Sequence, residues 1–308
     1  MNKITTWIDC DTGVDDAVAL LTAFQLEELD IVGISTLTGN VPNELTFKNT
    51  RDVVHLANKN IKVYPGAKKP LVVEYHPAYY AHGANGLGGA VIEESDAPVE
   101  TTLACDAIYE AAKAYPDLKL VAVGPLTNIA TTITKYPDFV DYCKEIFIMG
   151  GSAQKGNVTP EAEFNIYCDP HAAAIVFKSG LHVHMFGLDV TTKALLNPED
   201  IDEICSYGNK ASDLFRDSIA PLLKLNESND KPGLCEHDTC PLTFLVHPDW
   251  FTGQEAGIYV ETDDKLTLGK TVVDIWSDHK FEDRHCTIYM DLDNDKFKKL
   301  IKDSYKKY

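Results

Sequence analysis

Positive charge is what this chain has least of: 28 lysines and arginines stand against 47 aspartates and glutamates in 308 residues, a formal net charge of -19. Nucleic acid and anionic membrane surfaces are held by concentrated Lys and Arg, so neither is an expected partner. An uncharged or cationic substrate, or a metal ion, suits the balance better. Also missing is any run approaching the roughly 18 apolar residues of a membrane-spanning helix. The start, Met1-Asn2-Lys3-Ile4-Thr5-Thr6-Trp7, enters a strand-like pattern without the apolar region and cleavage site of a signal peptide, so a cytoplasmic protein is expected. The eight cysteines form no C-x-x-C pair and read as reduced core or site-lining residues rather than a disulfide or zinc framework. Linker-like, low-complexity and repeated tracts are absent as well, and residues 1–308 are expected to form one domain.

What is present is acid in one place. Ile8-Asp9-Cys10-Asp11-Thr12-Gly13-Val14-Asp15-Asp16 puts four carboxylates in eight residues, where an apolar run ends and a helical pattern begins. Like charges this close repel and raise their own pKa values unless a proton, strong donors or a cation compensates them. A hard divalent ion is the simplest compensation, because Ca2+ and Mg2+ take carboxylate and carbonyl oxygens. The same four acidic neighbours disfavour a thiolate at Cys10, which argues against a cysteine nucleophile.

Along the chain, strand, polar turn and helix recur. A strand to Asp9 leads to a helix over 15–26; Ile31 to Thr36 leads through Thr38-Gly39-Asn40 to a helix from Pro42 to Leu56; Lys119 to Val123 leads through Gly124-Pro125-Leu126-Thr127-Asn128 to a helix ending near Lys135. Glu145 to Met149 and His182 to Phe186 read as further strands, 198–225 as mainly helical, Thr267 to Trp276 and Cys286 to Met290 as strands, and 295–308 as a closing helix. The fold class is therefore α/β: an open, mostly parallel (mixed) sheet flanked by helices, with ligands at the carboxyl ends of the strands. The Gly- and aromatic-rich stretch 66–89 interrupts the alternation and is a candidate lid.

The acidic cluster admits several readings. An EF-hand counted from Asp9 needs Gly at its sixth position and Glu at its twelfth, where Val14 and Leu20 stand, so that one fails. A strand followed by D-x-D resembles the first motif of haloacid-dehalogenase-type, Mg2+-dependent phosphatases, although Gly13 and the Asp15-Asp16 pair depart from it. A non-catalytic protein binding metal or nucleoside is the other alternative.

The stretch Asp9 to Ala17 also resembles the signature of the inosine-uridine preferring nucleoside hydrolase family, with Thr12 where Pro is more usual. Thr38-Gly39-Asn40, His82-Gly83, Gly124 to Asn128, Met149-Gly150-Gly151, Asn157 with Glu163-Phe164-Asn165, Asp169-Pro170 and His237-Asp238 resemble family motifs in family order, spanning most of the chain. The resemblance implies a Rossmann-like fold and hydrolysis of the N-glycosidic bond of ribonucleosides to free base and ribose. It implies a Ca2+ cofactor held by Asp11, Asp16, the Thr127 carbonyl and Asp238, with Asp11 also the general base activating a metal-bound water. Asp15, Asn40, Asn157, Glu163, Asn165 and Asp238 would hold the ribose, His82 would contact the base or close with its loop, and His237 would protonate the leaving group. A homo-oligomer, tetramer or dimer, is also implied.

The chemistry agrees with those residue types. Breaking an N-glycosidic bond with water develops an oxocarbenium-like sugar, which calls for an activated water and nearby carboxylates. A polyol needs many acceptors and amides, whereas a phosphorylase needs Arg, Lys or backbone donors for phosphate, and among these turns only the loop residue Lys155 offers a cation. Taken singly, Asn40 is equally a helix cap, Glu163 and Asn165 ordinary polar loop residues, and His82 and His237 loop or capping histidines. His182 and His184 alternate along a strand, flank no acidic turn and are expected to face away from the core as structural residues. Tyr75, Tyr79 and Tyr80 stack on a base or simply pack. Residues 206–236 should approach the base, but Leu222, Leu223, Leu225 and Asn226 carry no recognised purine or pyrimidine signature.

Overall fold

The computed structural model describes residues 3–228, 233–276, 278, 280, 281 and 285–308. Its strands are β1 (Ile4–Cys10), β2 (Leu29–Thr36), β3 (Val63–Tyr64), β4 (Lys119–Ala122), β5 (Glu145–Met149), β6 (His182–Phe186), β7 (Leu195–Leu196), β8 (Leu234–Cys235), β9 (Phe251–Val260), β10 (Thr271–Asp274) and β11 (Cys286–Leu292). Among the described residues, nine of these make one sheet in the order β10-β9-β11-β6-β5-β4-β1-β2-β3, while β7 and β8 pair separately. From β3 to β11 the strands are parallel; β9 runs antiparallel to both β11 and β10. The expected mixed, mostly parallel sheet is present.

Side-chain alternation along each strand divides the core into two layers. Ile8, Val121, Phe147 and Phe186 face one layer, with the helices Val14–Ala23, Thr239–Val246 and Asn294–Tyr305. Trp7, Leu120, Ile146 and Val183 face the other, with the helices Ala104–Ala114, Thr127–Lys135 and Pro170–Phe177. A side chain such as Ile8, fully buried, is worth about 1.5–3 kcal/mol of transfer free energy. Strands buried on both faces are the form a parallel sheet takes.

β1 is paired with β2 on one side and β4 on the other. The chain first moves outward from β1 to β3, then returns and moves outward the other way through β4, β5 and β6. At such a reversal the connections leave the sheet in opposite directions and open a crevice at the carboxyl ends of the strands. That crevice lies where Asp11 follows β1.

Some elements differ from expectation. β9 was not expected: Gly253 and Gly257 interrupt its alternation, and Thr252 to Glu255 are exposed. β10 is shorter than the expected 267–276, because Gly269, at φ +79°, turns the chain just before it. His182 and His184, expected to face away from the core, lie on the Phe186 side of β6. There His184 stacks on Phe147 at 4.4 Å and bonds Tyr289 Oη at 2.9 Å and Glu145 at 3.1 Å, a structural role as expected. All eight cysteines are free thiols, and no helix among the described residues is long and apolar enough to cross a membrane.

Candidate active site

Asp11 stands just past β1 and is 1 % exposed. Its Oδ2 accepts the Asn40 main-chain N–H at 2.6 Å, while its Oδ1 is buried without a partner. Two turns close on it because they carry glycine: a Cβ at Gly39 would sit 2.0 Å from Asp11 Oδ2, and one at Gly124 2.4 Å from Oδ1. The turns after β2 and β4 are thus packed against one carboxylate.

Asp15 and Asp16 enter on the first turn of the helix Val14–Ala23. The Gly13 N–H donates to Asp16 Oδ2 at 2.8 Å, the Asp11 N–H to Asp16 Oδ1 at 3.2 Å, and the Asn40 amide to Asp16 Oδ2 at 3.1 Å. Asp238 arrives from the far end of the chain, just before the helix Thr239–Val246, and is 3 % exposed. Oxygens of Asp15, Asp16 and Asp238 lie within 4.8 Å of one another. Burial, and next the neighbouring charges, push Asp11 and Asp238 well above the usual carboxylate range and Asp16 up to about 7.

A hard cation fits here. Asp11 Oδ1 and Asp15 Oδ1 are buried without hydrogen-bond partners, the ligand atoms are all oxygen, and among the described residues no lysine or arginine lines the cavity above them. Asp9 stands apart: its Oδ1 accepts from Ser35 Oγ and, at 2.8 Å, from the Asn128 amide, so it braces β2 and the start of the helix Thr127–Lys135.

The main-chain oxygen expected from Thr127 is turned away. Thr127 begins its helix, where carbonyls point toward the C-terminal end, and its own accepts Thr131 Oγ1 at 2.7 Å. Its hydroxyl donates to Asp169 at 2.8 Å. Val123, the last residue before Gly124, lines the cavity instead, and its carbonyl accepts the Asn165 amide at 2.9 Å. Only where a strand ends and a helix begins decides which carbonyl faces the crevice.

The cavity has a volume of about 190 Å3. Asp15, Asn40, His82, Asn157, Glu163, Asn165, His237 and Asp238 all line it, so the structure brings together every expected substrate residue; Asp11, Asp16 and Thr127 are not in its lining. Glu163 caps the helix Phe164–Cys168, accepting Asn165 N–H at 2.9 Å, Ile166 N–H at 3.2 Å and Gly151 N–H at 2.8 Å. Burial nevertheless raises it to about 7. Asn165 ties the ends of β4 and β5, donating also to the Met149 carbonyl at 3.1 Å, and Asn157 accepts the Phe164 N–H at 2.9 Å.

His82 is 7 % exposed, and its Nδ1 accepts the Val14 N–H at 3.1 Å, so the neutral ring carries its proton on Nε2. Burial lowers its pKa, against the pull of Asp15. His237 Nδ1 lies 2.8 Å from Thr191 Oγ1. Tyr80 lines the cavity, as do Leu222, Leu225 and Asn226 from the helix Ala220–Ser228, which packs on the short helix Tyr79–His82; of the stretch 206–236 expected near the base, 229–232 lie outside the described residues. Sequence reasoning missed Val123, whose only signal was its place before Gly124, and quoted Met149 within a motif without giving it a part in the site.

A sequence model of the inosine-uridine preferring nucleoside hydrolases matches residues 6–299. A non-specific ribonucleoside hydrolase RihC of Escherichia coli is 39 % identical over 278 residues, 89 % of each chain. Among solved structures, the plant nucleoside hydrolase PpNRh1 superposes with a TM-score of 0.91 at 28 % identity, covering 98 % of both chains. A purine-preferring ribonucleoside hydrolase from Gardnerella vaginalis gives 0.91 at 30 % identity, covering 99 % of this chain and 100 % of that one.

Proposed function

The chain belongs to the inosine-uridine preferring nucleoside hydrolase family and is an enzyme that cleaves ribonucleosides; on that premise we propose a Ca2+-dependent hydrolysis to free base and ribose with Asp11 as general base. Asp11, Asp16, Asp238 and the Val123 carbonyl would hold the ion. When bound, it supplies positive charge and Lewis acidity among carboxylates that otherwise repel one another. The observation that carries the proposal is the convergence of Asp15, Asp16 and Asp238 beside a cavity that, among the described residues, no lysine or arginine lines. A phosphate-handling site would need such donors.

Within that site, Asp11 takes a proton from the attacking water through Oδ1, the oxygen left without a partner. Asp15 and Glu163 place negative charge beside the sugar as it becomes cationic. Asp15, Asn40, Asn157, Glu163, Asn165 and Asp238 offer the amides and acceptors for the ribose hydroxyls, and His82 and His237 meet the base, with His237 at the leaving group. Leu222, Leu225 and Met149 exclude bulk water from the bond being broken. One continuous sheet supports residues 1–308 as a single domain, and the proposal takes the protein as a cytoplasmic homo-oligomer, dimer or tetramer. Supplying inosine, uridine and cytidine with and without inorganic phosphate tests the reaction class: free ribose in both cases supports hydrolysis, and ribose 1-phosphate formed only with phosphate refutes it.

A further inference from the structure

The helix Asn43–Leu56 turns a polar stripe into the protein: Asn43, Thr46, Asn49 and Thr50 are all buried, with Asn49 5 % exposed. Their spacing is that of one side of a helix, where a buried stripe usually carries apolar residues. This stripe meets main chain rather than strand side chains. Thr46 Oγ1 donates to the Leu37 carbonyl at 2.8 Å and Thr38 Oγ1 accepts the Asn43 N–H at 2.9 Å, which holds the turn after β2. Asn49 and Thr50 hold Thr12, between Asp11 and Gly13. The Thr50 hydroxyl donates to the Thr46 carbonyl at 2.8 Å, so Thr12 is the donor in the 2.6 Å bond between the Thr12 and Thr50 hydroxyls. Asn49 Nδ2 donates to the Thr12 carbonyl at 3.2 Å and also to the Asn85 carbonyl at 2.9 Å, in the loop that follows His82.

We propose that Asn49 is a positioning residue that fixes the His82 loop on the acidic turn, and with it the part of the cavity wall that His82 forms. The inference rests on the nucleoside site described above. An amide nitrogen has two hydrogens, and here it meets two carbonyls from segments far apart in sequence. Without Asn49 both carbonyls would lose a buried donor. The bridge runs beside a second link between the same two segments, the Val14 N–H bond to Nδ1 of His82 at 3.1 Å. The loop is in turn built back on His82, whose carbonyl accepts the Gly88 N–H at 2.8 Å. It also passes close against Asn49: a Cβ at Gly86 would lie 2.7 Å from Nδ2.

Asp11 is held by other groups. Its carboxylate is anchored by the Asn40 N–H, and Thr12 keeps its bond to Thr50 when Asn49 is replaced. Loss of Asn49 therefore loosens the loop and leaves the carboxylate cluster in place. Substrate binding should suffer, and the chemical step should not.

The test uses the full chain and two variants. Asn49→Leu keeps much of the volume without the donors, and Gly86→Ala pushes the loop off Asn49 from the other side, at a φ of +83°. Amide hydrogen exchange followed by NMR reads the contact independently of activity. In both variants the Val14 and Gly88 amides should exchange roughly tenfold faster, while the Gly13 amide, which donates to Asp16, should change by less than about twofold. KM for uridine and inosine should rise roughly tenfold with kcat held within about twofold, as when binding is lost without loss of transition-state stabilisation. The double variant should raise KM by no more than about twofold beyond the larger single effect, because both changes break one contact. Equal acceleration at Gly13, Val14 and Gly88 with a lower kcat and unchanged KM would show a merely structural residue and overturn the proposal. Wild-type exchange at Val14 and Gly88 in Asn49→Leu would overturn it as well. If Asn49→Leu does not fold, Gly86→Ala decides by the same readings. A wild type that cleaves no nucleoside refutes the hydrolase site instead, and the exchange rates still decide the part of Asn49.

Discussion

The main-chain N–H of Asn40 donates to Oδ2 of Asp11 at 2.6 Å, and the other oxygen of that buried carboxylate has no partner. One oxygen is held by the turn after β2, and the other is left for chemistry. On the proposed mechanism, this division lets a single carboxylate be both fixed and reactive.

Replacing Asp11 by Asn should therefore separate folding from catalysis. The amide oxygen can still accept from Asn40, and the variant loses a buried negative charge from a cluster that repels itself. Its thermal midpoint without metal should be no lower than that of the wild type, while kcat falls by roughly 10²–10⁴-fold, the usual share of a general base. Circular dichroism melting and a reducing-sugar assay read the two effects.

Gly39 tests the packing of the turn against that carboxylate. A Cβ there would lie 2.0 Å from Asp11 Oδ2 and 2.7 Å from its Cγ, so Gly39→Ala must displace the carboxylate or the turn. A cost of about 1–3 kcal/mol in urea unfolding is expected from overpacking of this kind. Activity should fall more than stability explains, because the displaced group is the proposed base.

Glu163 provides a pH test. Its folded pKa is raised to about 7 from 4.5, mainly by burial. Between those values the folded state holds a proton that the unfolded state has released, so Glu163 makes the protein less stable as pH rises from about 4.5 through about 7. Glu163→Gln removes that dependence but loses an acceptor for Gly151, Asn165 or Ile166. The difference in thermal midpoint, variant minus wild type, should consequently move in favour of the variant between pH 5 and pH 8. A difference that is flat over this range would place a charged, well-compensated Glu163 at both pH values.

Much of this site was legible before any coordinates. Asn40 stands in the turn after β2, Asn157 and Glu163 in the long loop after β5 with Asn165 just past it, and His237-Asp238 between β8 and the next helix, and a parallel sheet carries such connections to one rim, where His82 also arrives. What could not be read was the direction of a main-chain group. Thr127 and Val123 are four residues apart, and which carbonyl faces the cavity depends on the helix starting at Thr127. β9 escaped for a different reason: its exposed, glycine-containing stretch lacks the alternation that marks a half-buried strand. The brace that Asp9 forms with Ser35 and Asn128 joins residues far apart in sequence, and no local pattern announces it.

The central claim is that the carboxylates around Asp11 work with a divalent ion to hydrolyse ribonucleosides. Its most direct test is release of reducing sugar from inosine, uridine and cytidine by metal-stripped protein, before and after titration with Ca2+. The expected result is no turnover in the stripped protein and recovery as Ca2+ is added, accompanied by a higher thermal midpoint, since an ion bound only by the folded state stabilises it by about 2.7 kcal/mol at a hundred times its Kd. Full turnover by the metal-stripped protein would contradict the claim.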